Sequence, residues 1–190
     1  MESSCWSRRQ RILKELGKTQ VGRAALRPRL VAVGWDYLVI VAWLALLAVV
    51  FVPLHLAGVR LFDGLSMVSN DLLISVLTVL PAGAYLTIGE AGRRQATWGK
   101  RRAGLVVATT RGKRPSAAQI VARNAVKLLP WQCGHMAVSR LAGGHEAIAA
   151  MPLLVAAYAL VGVSIALLLV RRDRAALHDV VVATRVVPSP

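Results

Sequence analysis

Acidic side chains are scarce in this chain: nine Asp and Glu stand against 24 Lys and Arg in 190 residues, for a formal net charge of +15. Cysteine is scarcer still. Cys5 lies in a polar N-terminal stretch and Cys133 beside an apolar one, so no disulfide framework is implied. Phosphate-binding glycine loops, dinucleotide fingerprints and paired metalloprotease histidines are missing. The four histidines fall at no metal-ligand spacing, and Cys133 and His135, two apart, would point to different sides of a helix. No metal and no other cofactor is therefore expected. Aromatics make up 5% of the chain and do not interleave with the basic residues, which argues against a nucleic-acid surface. A cleavable signal is not expected either, because the first apolar stretch begins near Leu30, after a polar arm too long for an ordinary signal.

What the chain has in abundance is uncharged length. It is 56% hydrophobic with a mean hydropathy of +0.55. Tyr37 to Leu56 contains no Asp, Glu, Lys or Arg, enough to cross a hydrocarbon core of about 30 Å. The expected fold class is an all-α membrane protein, a polytopic helical bundle with a small cytoplasmic β element. Membrane segments are expected at about 29–54, 72–88 and 147–170, with Pro81 kinking the second. Residues 117–141 are ambiguous. They carry Arg123, Lys127, His135, Arg140 and a central Pro130, and read either as a polar fourth span or as a surface-lying amphipathic or re-entrant helix. Charge favours the fourth span. The basic arm of residues 1–28, the basic loop 89–116 and the tail 171–190 then all fall on the cytoplasmic side. Within the arm, Ser7 to Leu16 is expected to form a short helix on anionic lipid. Arg93, Arg94, Arg101, Arg171 and Arg172 are the expected contacts to anionic headgroups of the cytoplasmic leaflet.

An acid inside such a span needs a partner, because an unpaired charge costs about 2.5–3.5 kcal/mol at the bilayer centre. Asp36 is that acid. Arg29, seven residues earlier, falls on the same face of a helix, and a neighbouring backbone donor or Arg123 and Lys127 on the polar segment are further candidates, the last two alternatively binding lipid phosphates at the bundle edge. Asp36 reads in two ways: as a cation or proton site in a polar path, or as a clamp fixing helix register. Asp179 should lie at the cytoplasmic rim, accepting hydrogen bonds from Lys100, Arg102 or the amides of the 97–104 turn. That contact would tie the tail to the central loop, with two strand-like pieces, 105–110 and 180–187, available to pair. Asp36 and Asp179 would sit at different depths and make no acid/base pair, so an enzyme is not expected. Gly162 and Ala166 form a small-residue step that suits close helix approach.

Three segments in order carry a resemblance: Arg29-Leu-Val-Ala-Val-Gly-Trp-Asp36, Thr97-Trp-Gly-Lys-Arg-Arg-Ala-Gly-Leu-Val-Val and Leu177-His-Asp179-Val-Val-Val-Ala-Thr-Arg-Val-Val. Together they resemble the RDD family of small, mostly bacterial membrane proteins, over residues 26–187. Arg29, Asp36 and Asp179 fall on its three naming positions. Arg123 to Gln132 also looks like a family segment, with Gln132 where Glu is expected. The resemblance implies a multi-pass protein of the bacterial inner membrane, with N- and C-termini cytoplasmic and transport as the usual suggestion. Two functions are therefore carried forward. One is transport of a small ion or solute past Asp36. The other is a non-catalytic scaffold or accessory subunit that binds anionic lipids and a protein partner through its basic face. A homo-oligomer or a complex with other membrane proteins fits either.

Overall fold

The computed structural model describes residues 25–60, 63–142 and 147–189. Most of the N-terminal arm, including the helix expected at Ser7 to Leu16, lies outside the described residues.

Helix α1 runs Leu26–Leu56, slightly longer at both ends than the segment expected at about 29–54. Its most apolar window has a mean hydropathy of 2.7 and none of it is buried inside the protein, so its partner is lipid rather than a core. The second apolar segment, Met67–Ala91, is one bent span. It consists of α2 (Met67–Ile74), a π-helical turn (Ser75–Val79) and α3 (Leu80–Ala91). The bend has an identifiable cause. Pro81 has no N–H to give the carbonyl of Leu77, and the widened turn lies immediately before it. Trp43 on α1 fills the gap, its indole Nε1 donating to that Leu77 oxygen at 2.9 Å. A backbone group freed inside an apolar layer must be satisfied somewhere, and here a side chain does so while joining two helices.

Loop 92–97 leads into the short α4 (Trp98–Arg102), started by Thr97, whose hydroxyl accepts from the Lys100 amide. Strand β1 (Leu105–Thr109) follows, then α5 (Ala117–Ala142), α6 (Ala147–Val170), the short α7 (Leu177–Val181) and β2 (Thr184–Pro188). The tail thus departs from the expected strand over 180–187. Its first residues, Val180 and Val181, complete a helical turn that presents Asp179 inward. Ala183, at φ 53°, then reverses the chain into β2. β1 and β2 pair antiparallel, with Val107 opposite Val186.

The structure is a helical bundle with three helices apolar and long enough to span a membrane, α1, the α2–α3 span and α6, plus a two-stranded sheet. Helix α5 is also long enough at about 39 Å but more polar. It packs along α6 and against α2 and α3. Because β1 precedes and β2 follows the α5–α6 hairpin, their pairing closes the hairpin's open end. The start of α1 lies at that end too, since Arg29 donates to the carbonyls of Arg174 and Val186. Gly162 has open space beside it, so no other helix among the described residues packs on that small-residue step.

Candidate functional site

At the sheet end of the bundle, buried charges converge from α1, α3, α4, α5 and α7. Asp36 on α1 is 3% exposed, and all its partners are donors. Its Oδ1 accepts from the Tyr85 hydroxyl at 2.7 Å and from the Gly99 amide at 2.9 Å. Its Oδ2 accepts from the Thr97 hydroxyl at 2.7 Å, with Lys100 Nζ at 3.7 Å. Local sequence explains this cradle. Thr97 caps α4 and so fixes both its hydroxyl and the following amides. Gly99 has no Cβ, and one placed there would stand 2.6 Å from Asp36 Oδ1 and collide with the Ala32 carbonyl. Trp98 packs edge-on against Trp35 at 5.1 Å, and the Arg102 guanidinium stacks over both rings.

Glu90, at the end of α3, is the hub. It is 1% exposed and accepts from Lys100 Nζ at 2.8 Å, Arg123 Nη1 at 2.6 Å and Asn124 Nδ2 at 3.3 Å. Arg123 on α5 turns its Nε to Asp179 Oδ1 at 2.9 Å, and Thr184 at the start of β2 donates to the same oxygen at 3.0 Å. One chain of contacts thus runs Asp36–Lys100–Glu90–Arg123–Asp179 and joins α1, α4, α3, α5 and α7. Burial pushes the Asp179 carboxyl up, but the Arg123 guanidinium outweighs it and holds the acid down to about 2. His178 beside it is driven the other way from a charged state. Burial first, then Arg123, lower it to about 3, so its imidazole is neutral at pH 7 and its 3.7 Å approach to Asp179 is not an ion pair.

Several expected pairings are redrawn. Arg29 does not reach Asp36. Its guanidinium serves carbonyl oxygens of the tail, because the long side chain extends from the first turn of α1 toward β2. Neither Arg123 nor Lys127 holds Asp36. The Gly99 amide of the 97–104 turn and Lys100, assigned in expectation to Asp179, hold Asp36, and Arg123 takes Asp179. Arg102 stacks on tryptophans and pairs with neither acid. Lys127 is half-buried and has no hydrogen bond or ion pair among the described residues. Arg93, Arg94, Arg101, Arg171 and Arg172 are exposed at this same end, with Arg171 bound to Asp173 at 2.9 Å. Gln132, at the position where Glu was expected, donates to Ser75 in the π-turn at 2.6 Å.

A second polar layer went unnoticed in the sequence. Asp71 on α2 meets Arg140 on α5 at 3.3 Å, and Asn70 donates to Ser139 at 2.9 Å. Arg123 and Arg140 lie about 25 Å apart along α5, close to the thickness of a hydrocarbon core. The signal was available as a second Asp–Arg pair spaced one bilayer from the first. Among the described residues no His, Cys, Asp and Glu cluster into a metal site.

The family model described as RDD family matches residues 23–183. No curated protein and no solved structure matches the chain.

Proposed function

The chain therefore belongs to the RDD family of membrane proteins, and from that premise we propose that it is a non-catalytic membrane scaffold or accessory subunit rather than a carrier that moves ions past Asp36. The observation that carries this reading is the saturation of Asp36. Three hydrogen-bond donors and Lys100 surround its two oxygens, and 3% of the residue is exposed. A cation or proton carrier needs a carboxylate that exchanges partners with water. This one instead locks α4 and the sheet onto α1. Among the described residues every other acid also has a cation nearby: Asp63, Asp71, Glu90, Asp173 and Asp179 each have an arginine or lysine within 4 Å.

In this reading the locked end supports a basic cytoplasmic face, carrying Arg93, Arg94, Arg101 and Arg172, toward anionic lipid and a protein partner. The bacterial cell membrane is its place, with both termini inside. The test compares the natural chain with Asp36→Asn in proteoliposomes. The scaffold reading expects no sodium, potassium or proton flux above empty vesicles for either, and a loss of about 3 kcal/mol in stability for Asp36→Asn as a buried charge pair is broken. Flux in the natural chain that vanishes in a normally folded Asp36→Asn protein would instead establish transport.

A further inference from the structure

Helix α1 packs chiefly on α4 and β1, which leaves a cavity of about 430 Å³ between it and α5 and α6. That volume is in the range of pockets that hold small molecules, about 300–1,000 Å³. The walls are apolar: Leu30 and Val33 from α1, Val161, Ile165 and Leu168 from α6. Leu30, Val33, Val161 and Ile165 are also exposed, at 64%, 45%, 42% and 51%, so the cavity opens sideways to where lipid tails lie. It extends from Leu26 to Tyr37 along α1, about 16 Å, and from Leu168 to Leu160 along α6, about 12 Å, close to the depth of one leaflet.

The head of this groove is unbalanced in charge. Arg29, Lys100, Arg123 and Lys127 reach its wall, against the carboxylate of Asp179. Lys100 and Arg123 are paired within the network of Asp36, Glu90 and Asp179. Among the described residues Arg29 donates only to carbonyl oxygens, and its buried Nε has no partner there. Lys127 has neither a hydrogen bond nor an ion pair among the described residues. A cation at the membrane rim above an apolar slot is complementary to an anionic headgroup attached to an acyl chain.

We propose that this groove binds one anionic phospholipid, its phosphate between Lys127 and Arg29 and an acyl chain lying between α1 and α6. The site is separate from the exposed arginines of the basic face and gives the scaffold reading a specific lipid ligand. Its failure would leave the flux experiment untouched, so the two are judged separately.

The purified full-length chain in neutral detergent is offered equal phosphatidylglycerol and phosphatidylcholine and examined by native mass spectrometry. The expected result is a retained phosphatidylglycerol adduct, preferred by about tenfold. Lys127→Gln should remove the preference, and Val161→Trp, which fills the slot without changing charge, should remove the adduct. An Arg93→Gln/Arg94→Gln protein should keep both. Melting temperatures in lipid-free detergent verify that each variant is folded; if Lys127→Gln does not fold, Val161→Trp decides. The proposal is overturned by equal retention of the two lipids, or by a preference lost with the surface arginines yet kept in Val161→Trp. Displacement by inorganic phosphate alone would also overturn it, because a headgroup site without the acyl slot is not this one.

Discussion

His178 is the residue through which this protein should feel mild acid. An unfolded histidine takes a proton below about pH 6.5, whereas His178 in the fold, buried beside Arg123, does so only near 3. Between those values the unfolded chain binds more protons, so stability rises with pH through the window and is lost as pH falls from about 6.5. Asp179 cannot account for a loss in that range. Its folded value of about 2 lies below the unfolded carboxylate value of about 3.9, so its contribution is intact above pH 4 and disappears as pH drops toward 2. From pH 7 to pH 5 the natural chain should therefore lose about 2 kcal/mol of unfolding free energy, and His178→Gln most of that sensitivity. Denaturant unfolding in detergent at the two pH values measures it. Equal losses in both proteins would place the proton elsewhere. At this same scale the sequence was only half legible. Asp36, Asp179 and Lys100 stood out as charges in need of partners, but which cation meets which acid depends on helix rotation and side-chain reach, which a linear sequence does not specify. Glu90 was passed over because it looks like a lone acid opposing a basic loop. Its position at the last turn of an apolar span was the missed clue, since a carboxylate there is solvated by the protein or not at all.

Between elements, the tightest demand falls where α4 crosses α1. Gly99 presses its backbone against Ala32 and Asp36, and a methyl there meets a backbone carbonyl that cannot swing away. Gly99→Ala should cost about 1–3 kcal/mol through overpacking, with a further loss if the Gly99 amide withdraws from Asp36. Gly34, on the same α1, is a fitting control. A Cβ there meets nothing within 4 Å, so Gly34→Ala should be neutral or add about 0.4–1 kcal/mol. Thermal unfolding of the pair tests the crossing, and equal stability of the two variants would show that α4 is not seated on α1 as described. Elements were more legible than their contacts. Apolar run length gave α1 and α6 to within a few residues, and the strand over Leu105–Thr109 was evident from its β-branched run between glycines. The tail misled because valines favour strands. Here the need to aim Asp179 at Arg123 outweighs that preference and winds Val180 and Val181 into α7.

At the scale of the whole molecule, the sheet bears on a question that hydropathy left open. Residues 117–142 are too polar for composition alone to place them across a bilayer, yet the chain leaves β1, traverses α5 and α6, and returns in β2 to pair with β1. If α6 crosses the membrane, α5 must cross it in the opposite sense. The same holds for the first half: Arg29 at the start of α1 and Glu90 at the end of α3 both lie at the sheet end, so that hairpin also goes out and returns. The ion pairs of α5 then fall at two levels rather than in mid-membrane, Arg123 with Glu90 at one rim and Arg140 with Asp71 at the other. We propose four crossings on this ground, with the arginine-rich sheet end inside. Single cysteines in a background with Cys5 and Cys133 replaced by serine test the arrangement. Arg111→Cys and Arg172→Cys should both react with a membrane-impermeant thiol reagent only from the cytoplasmic side, and Asp63→Cys only from the outer side. A surface-lying α5 would place positions 111 and 172 on opposite faces. No pairing of β1 with β2 could survive that result, and the charge network those strands close would have to be abandoned with it.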